Sequence, residues 1–444
     1  MNSLISIIRE AAQPLTGSRR DYDPLLDLVG DARFVLLGEA SHGTHEFYRE
    51  RAQITKRLIN EKGFDAILVE ADWPDAYRVN RFVQCRGDDM DSVEALAGFQ
   101  RFPAWMWRNA DVLDFIGWLR THNEDRPKTD PRVGFYGLDL YSLHASIHAV
   151  IAYLEKVDPA SATRARHRYA CFDQLGGDTH LYGMAAQTGA ARSCEQEAVD
   201  ELVELQMRGT DYLERDGRIA EDELFAAEQN ARLVKNAEQY YRAMFLGSVS
   251  SWNLRDEHMA ETLNSLATHM ELQSGRRARI VVWAHNSHLG DARATQMGDT
   301  GELNLGQLVR QHFPNESCSV GFMTDHGTVT AASEWDAPTE RKRVRPAMEG
   351  SFEAMFRGIE WPRFFLDLRN DSEVRFNLAH PRLERAIGVI YKPETERRSH
   401  YFRAQLSHQF DAVLYFDETR AVEPLERTSE WDRSEVAETF PSGM

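Results

Sequence analysis

The sequence predicts an α/β fold, with a mostly parallel central sheet flanked by helices and a helical insertion subdomain. Three observations carry that reading. Several short runs rich in β-branched and apolar residues are continuous rather than alternating, the pattern of strands covered on both faces. The first two runs bracket a helical pattern, and strand, helix, strand in that order is a βαβ unit whose crossover implies parallel pairing. The middle of the chain, by contrast, shows helical periodicity without a convincing strand.

Taken in order, "MNSLISIIREAAQPL" reads as a short amphipathic helix broken by Arg9 and Glu10. "ARFVLLG" is the first buried strand. A helix follows from about Thr44 to Lys62, with Phe47, Ile54 and Leu58 on one side and Gly63 as its stop signal. "FDAILVEA" and "RVGFYGLD" are the next strands. From Tyr141 to Gln273 the pattern is helical, with Leu224, Ala227, Ala231, Val234, Ala237, Tyr241 and Met244 at steps of three and four, a stripe suited to core packing. Within that region "GGDTHLYGMAAQTGAARS" reads as a long Gly-rich loop, a lid or a plain connector. Strands resume with "RIVVWAH", "SVGFMT", "RFFLDL" and "FDAVLYF", and the stretch after Glu423 is polar and weakly patterned. The division expected is residues 1–140 and 274–444 as two parts of an α/β core, with 141–273 as a helical subdomain.

Composition narrows the function. The chain has 444 residues, 42% hydrophobic and 27% charged, ordinary for a soluble globular protein. Its formal charge of -18 repels phosphate backbones and anionic lipid surfaces, so neither nucleic acid nor membrane is expected as a partner. The N-terminus lacks the basic region and long apolar core of a signal peptide, and no stretch reaches the length of a membrane span. Cys85, Cys171, Cys194 and Cys318 are far apart with no C-x-x-C pair, which suggests reduced thiols in a cytoplasmic protein.

Parallel α/β sheets bind ligands beyond the carboxyl ends of their strands. After "FVLLG" come Glu39, His42 and His45; after "AILV", Glu70 and Asp72; after "GFYGL", Asp139; after "IVVWA", His285, Asn286 and His288. A single polar strand end usually means a helix cap, whereas four together, two of them carrying His-x-x-His, point to a shared site. The start of the helix after His42 opposes a second positive charge and should keep that imidazole neutral. With Glu39 three residues back, it has the makings of an oriented general base. Arg51, on the same helix, is a candidate for stabilising an oxyanion or anchoring an anionic substrate; the plain alternative is a surface ion pair. No G-x-S-x-G elbow, P-loop or dinucleotide fingerprint occurs, so activation of water is the default chemistry. His42, His45, His285 and His288 with Glu39 and Glu70 also supply enough N and O ligands for zinc or manganese, although neither His pair has the H-E-x-x-H form.

With these residues in view, the chain resembles the erythromycin esterase family, some of whose relatives carry a succinoglycan-biosynthesis label. The resemblance rests on "LLGEASHGTHEFYRERAQITKRLI", "FDAILVEADWPDAYRVNRFV", "GFYGLDLYSL", "WNLRDEHMAETL" and "RIVVWAHNSHLGD". It implies hydrolysis of an ester or macrolactone by water, with a His general base, no covalent acyl-enzyme and no required cofactor. On that pattern Glu39 and His42 match the G-E-x-x-H pair, and Arg51 the Arg of the following helix. Glu70 matches the carboxylate ending the next strand, and His285 and His288 the H-N-x-H histidines. Distant relatives of this fold type include metal-dependent peptidases and haem binders, so a metal-dependent hydrolase stays open as an alternative. A non-catalytic small-molecule-binding or biosynthetic accessory protein is the third reading. Macrolide hydrolysis, and antibiotic resistance with it, follows from family membership alone, because pocket walls decide substrate. Trp105, Trp107 and Tyr141 are candidates for such a wall, with core packing the plainer role for each.

Overall fold

In a computed structural model of the chain, residues 2–127, 130–216 and 220–433 are described. The strands are β1 (Gln13–Pro14), β2 (Phe34–Leu37), β3 (Ala66–Asp72), β4 (Gly134–Asp139), β5 (Ile280–Trp283), β6 (Ser317–Ala331), β7 (Glu340–Val344), β8 (Arg363–Asp367), β9 (Arg382–Arg385), β10 (Tyr401–Ala404) and β11 (Ala412–Thr419). The main sheet runs β1-β8-β11-β6-β2-β5-β3-β4, with β7 branching from β6. From β11 to β4 every neighbouring pair is parallel, whereas β8, β1 and β7 are added antiparallel. The α/β sheet is therefore mostly parallel and flanked by helices.

Burial explains the continuous apolar runs. Every residue of β2 and β5 is buried, because helices cover both faces of the sheet. On one face the helices His45–Lys62 and Ala110–Glu124 pack Phe47, Ile54, Leu58, Phe115 and Leu119 against Val35, Leu37, Val69 and Trp283. On the other, Phe34, Leu36, Leu68 and Ile280 share one hydrophobic cluster with Leu154, Leu233, Val234, Met259 and Leu263. Those partners come from Leu143–Val157, Ala220–Ala243 and Ser248–Ser274, in a stretch between β4 and β5 whose described residues hold helices and their connections but no strand. The helix after β2 stops where Gly63 takes φ 68°, a left-handed conformation that glycine adopts without strain.

Three sequence expectations are corrected. The Gly-rich stretch after Leu175 holds a helix, Thr179–Gln187, capped by the Asp178 side chain on the His180 and Leu181 amides. Cys171 and Cys194 are joined as a disulfide rather than left as reduced thiols, because the turns on either side of that helix bring their Cα atoms to 6.0 Å. The "SVGFMT" strand continues to Ala331, since β7 pairs with the polar half that its sequence conceals. The C-terminal stretch also docks: the Trp431 indole donates to Thr330 Oγ1 at 2.9 Å, while the rest of that tail, 434–444, lies outside the described residues.

Candidate active site

β2, β5, β3 and β4 lie side by side and parallel, so their carboxyl ends open on one edge of the sheet. There His42, Glu70, Asp72, Asp139, His285 and His288 line a cavity of about 460 Å³. The loops that carry them are locked together by backbone. Gly38 passes so close to Asn286 that a Cβ would stand 2.1 Å from its Oδ1, and the Asn286 amide N–H donates to the Glu39 carbonyl at 2.8 Å. Asn286 also binds the backbone of Phe322 on β6 through Nδ2, at 3.0 Å. The Asn of "AHNSH" is thus a clamp between the ends of β2 and β5 and the middle of β6.

His42 is backed by a buried relay. Its Nδ1 donates to Glu39 Oε1 at 3.0 Å, and Glu39 Oε2 meets Arg51 Nη2 at 2.7 Å. The approach is out of line with the N–H bonds, so this is an ion pair rather than a directed hydrogen bond. Arg51 is 0% exposed, with Tyr48 and Trp283 rings 4.5 and 5.2 Å from its guanidinium carbon. The proposed contact between Arg51 and substrate is therefore corrected: helix His45–Lys62 turns this residue inward, where it pairs with Glu39 behind the imidazole. His42 Nε2, with its opposite nitrogen tied down, lies 4.0 Å from Glu70 Oε1, a gap that admits a bridging water.

His285 is different in kind. The Ser287 amide donates to its Nδ1 at 3.2 Å and Ser287 Oγ lies 2.8 Å from the same atom, so the neutral ring carries its proton on Nε2. That Nε2 is buried, the Ala40 backbone is hydrogen-bonded to the ring, and the ring stands 4.9 Å from that of His42. Burial, aided by the neighbouring His42, pushes its pKa down to about 3, so it is neutral at physiological pH.

Glu70 and Asp139 converge on a residue that strand-end reasoning did not single out. Arg255, from helix Ser248–Ser274, donates Nη2 to Glu70 Oε1 at 2.6 Å and to Asp139 Oδ2 at 2.7 Å, while its Nη1 lies 3.0 Å from His288 Nε2. Burial would raise the Glu70 carboxyl, but His288, His42 and Arg255 more than offset it and hold it well below the usual range. Asp139 is lowered in the same way, with the Arg255 charge opposing burial. His288 is carried by Asp256, whose carboxylate lies 2.9 Å from Nδ1, and its ring stacks on Trp252 at 4.5 Å. Burial alone would lower the His288 pKa; Asp256 and Glu70 raise it overall. Asp72 receives Arg101 Nε at 2.9 Å and the Tyr141 amide at 3.1 Å. A signal for Asp256 was present: it shares a helical stripe with Met259, Leu263 and Leu266, and a charge on a buried stripe needs a partner.

His45 leaves the group, because helix His45–Lys62 starts there and sends its Nδ1 to Asp111 at 2.8 Å. The metal-ligand set read from sequence is broken up accordingly. His45 faces elsewhere, His288 Nδ1 is committed to Asp256, and a guanidinium already sits among Glu70, Asp139 and His288. These residues fit an arginine-centred network better than a cation site. Among the described residues, the tightest group of potential metal ligands is Asp325, His326 and Asp417, none of which lines the cleft.

The remaining wall comes from sequence with no obvious signal. Ala386, Gly388, Val389 and Ile390 line the cavity because Ile387 is pinned to the His42 loop, donating to the Ala40 carbonyl at 2.8 Å. Trp107, Tyr141, Phe102 and Trp335 line it as well, whereas Trp105 packs in the core.

A family model described as Erythromycin esterase matches residues 59–419, most of the chain. The chain belongs to the erythromycin esterase family. It is 22% identical to the putative hydrolase YbfO of Bacillus subtilis (strain 168), over 92% of this chain and 90% of that protein. It is 20% identical to an erythromycin esterase type II of Escherichia coli, over 91% of this chain and 93% of the other. In fold it is similar to a crystal structure of a Bacillus cereus protein, with TM-score 0.77 and 21% identity, covering 96% and 99% of the two chains. Glu39, His42 and Arg51 precede the residues matched by the family model, so the structure rather than the match relates them to Glu70 and His285. No helix among the described residues is long and apolar enough to cross a membrane.

Proposed function

We propose that this chain is a hydrolase of a small-molecule carboxylic ester or lactone, with water activated by His42. One observation carries the reading: an imidazole whose Nδ1 is held by a buried, arginine-paired carboxylate lines a cavity with its Nε2 left free. In the reaction, Nε2 takes a proton from water as the oxygen attacks the carbonyl carbon. The C–O bond then breaks, and the imidazolium returns the proton to the departing alkoxide. Glu39 stabilises the positive ring between those steps. The neutral His285 stands beside the His42 ring without competing for the proton. Glu70, tied to the His285 amide and to Arg255, orients the water.

A covalent route through Ser287 has one observation in its favour, the 2.8 Å contact of its Oγ with His285 Nδ1. The depressed basicity of His285 and the lack of a carboxylate behind its Nε2 weigh against it. Comparing variants on an ester panel separates the two. Water activation by His42 predicts a loss of about 100- to 10,000-fold in kcat for His42→Ala and a change of a few fold for Ser287→Ala. The reverse ranking, or a trapped acyl group on Ser287, would overturn the proposal.

A further inference from the structure

On the far side of helix His45–Lys62 from the cleft lies a second cavity, of about 700 Å³, between that helix, the Leu15–Tyr22 segment, Trp118 and the start of β8. Its charge runs against the rest of the molecule. In a chain of formal charge -18, this lining carries Arg19, Arg49, Lys56, Arg57 and Arg363 against two carboxylates, Asp21 and Glu50.

Both carboxylates are already committed. Asp21 Oδ2 accepts the backbone amides of Thr16, Gly17 and Ser18 at 2.6, 2.7 and 3.1 Å, which shapes the turn that walls the cavity. Glu50 is buried and receives both the Tyr22 hydroxyl and the Arg49 guanidinium. Arg57 is held by Asp23 and Glu61, each at 2.7 Å, and Arg19 lies 3.9 Å from Glu61. Two cations remain. Arg363 spends its Nε on the Leu15 carbonyl at 2.9 Å, and among the described residues it forms no ion pair. Lys56 likewise forms none; its ammonium lies 5.3 Å over the Trp118 ring, with Asp114 acting on it only from beyond ion-pair reach. Half-burial without a counter-ion lowers its pKa, the mark of a cation short of an anion.

We propose that this cavity binds a small organic phosphate monoester in solution. Two unspent cations on separate elements match a dianionic phosphate, for which a guanidinium offers paired donors and an ammonium a point charge. Gln53, Asn60 and Ser18, also in the lining, give neutral hydrogen-bonding groups for hydroxyls on the organic part. The volume lies in the usual range for small-ligand sites of roughly 300–1,000 Å³.

The test is isothermal titration of the full chain with inorganic phosphate and with ribose 5-phosphate at constant ionic strength. One saturable site is expected, weakened about tenfold in Lys56→Gln and again in Arg363→Gln, and unchanged in His42→Ala. Melting curves on each variant confirm that it is folded; Lys56→Gln, which breaks no ion pair, keeps the test sound if Arg363→Gln unfolds. The proposal is overturned by an absence of saturable binding, by binding that ignores both charge removals, or by binding lost in His42→Ala. Co-sedimentation with phosphatidic acid vesicles, without binding of either soluble probe, would reassign the site to a lipid headgroup and overturn it too.

Discussion

Replacing Arg51 by Met should separate the stability of the active-site relay from its chemistry. Arg51 and Glu39 are buried, 0% and 1% exposed, and meet at 2.7 Å. Removing the cation leaves Glu39 buried without a counter-charge, a situation that costs about 3–5 kcal/mol. The loss of cation–π contact with Tyr48 and Trp283 adds on the order of 1 kcal/mol. Without its counter-charge Glu39 is no longer held in place to stabilise the imidazolium of His42. The expected rate loss is about 100-fold or more, close to that of Glu39→Gln. The double variant Glu39→Gln with Arg51→Met removes both charges, so it should regain stability over Arg51→Met alone while staying equally inactive. Urea unfolding of the four proteins beside ester turnover measures both quantities. Losses of stability that simply add, or an Arg51→Met enzyme with an unaltered rate, would show that the relay does not act as a unit.

Other predictions concern charge and pH. His285, held near 3, should stay neutral from about pH 4 upward, so its ring resonances in NMR should not titrate between pH 5 and 9; a midpoint in that window contradicts its neutral state beside His42. Arg255→Met should destabilise the fold by about 3–5 kcal/mol by stranding Glu70 and Asp139. Both carboxyls have depressed folded pKa values, so their contribution is present above the unfolded carboxylate pKa and lost as pH falls. The acid-unfolding midpoint of Arg255→Met should therefore move to higher pH, and an unmoved midpoint counts against the network. Glu384 shows the opposite sign: it is fully buried without a counter-ion among the described residues, and burial together with Glu353 raises its pKa against the opposing effect of Gln409. Its favourable protonated state persists below the unfolded value and is lost as pH rises, so Glu384→Gln should flatten the decline in stability toward alkaline pH, as read from melts across pH.

Which parts of this were legible depended on local signals. β2, β3, β4 and β5 announced themselves because burial on both faces leaves an unbroken apolar run, and their adjacent ends placed His42, Glu70, Asp139 and His285 on one edge. Arg255 and Asp256 were hidden because a helix distributes its charges around the axis, and only the stripe they share with Met259 shows which face is buried. Arg51 was visible as a residue but not as a direction: whether it faces substrate or core depends on the packing of Tyr48 and Trp283 around it. The wall from Ala386 to Ile390 had no local signal, since it is held by backbone bonds to Ala40 from far along the chain. β7 and the polar half of β6 escaped notice for a similar reason, because their pairing and not their apolar content makes them strands.

The most direct test of the central claim is mass spectrometry of esters, lactones and macrolactones incubated with the enzyme in ¹⁸O-labelled water, with His42→Asn run in parallel. Water activation by His42 predicts carboxylic acid products that carry one label with the wild-type protein and none formed above background with the folded variant. Equal conversion by His42→Asn would contradict it.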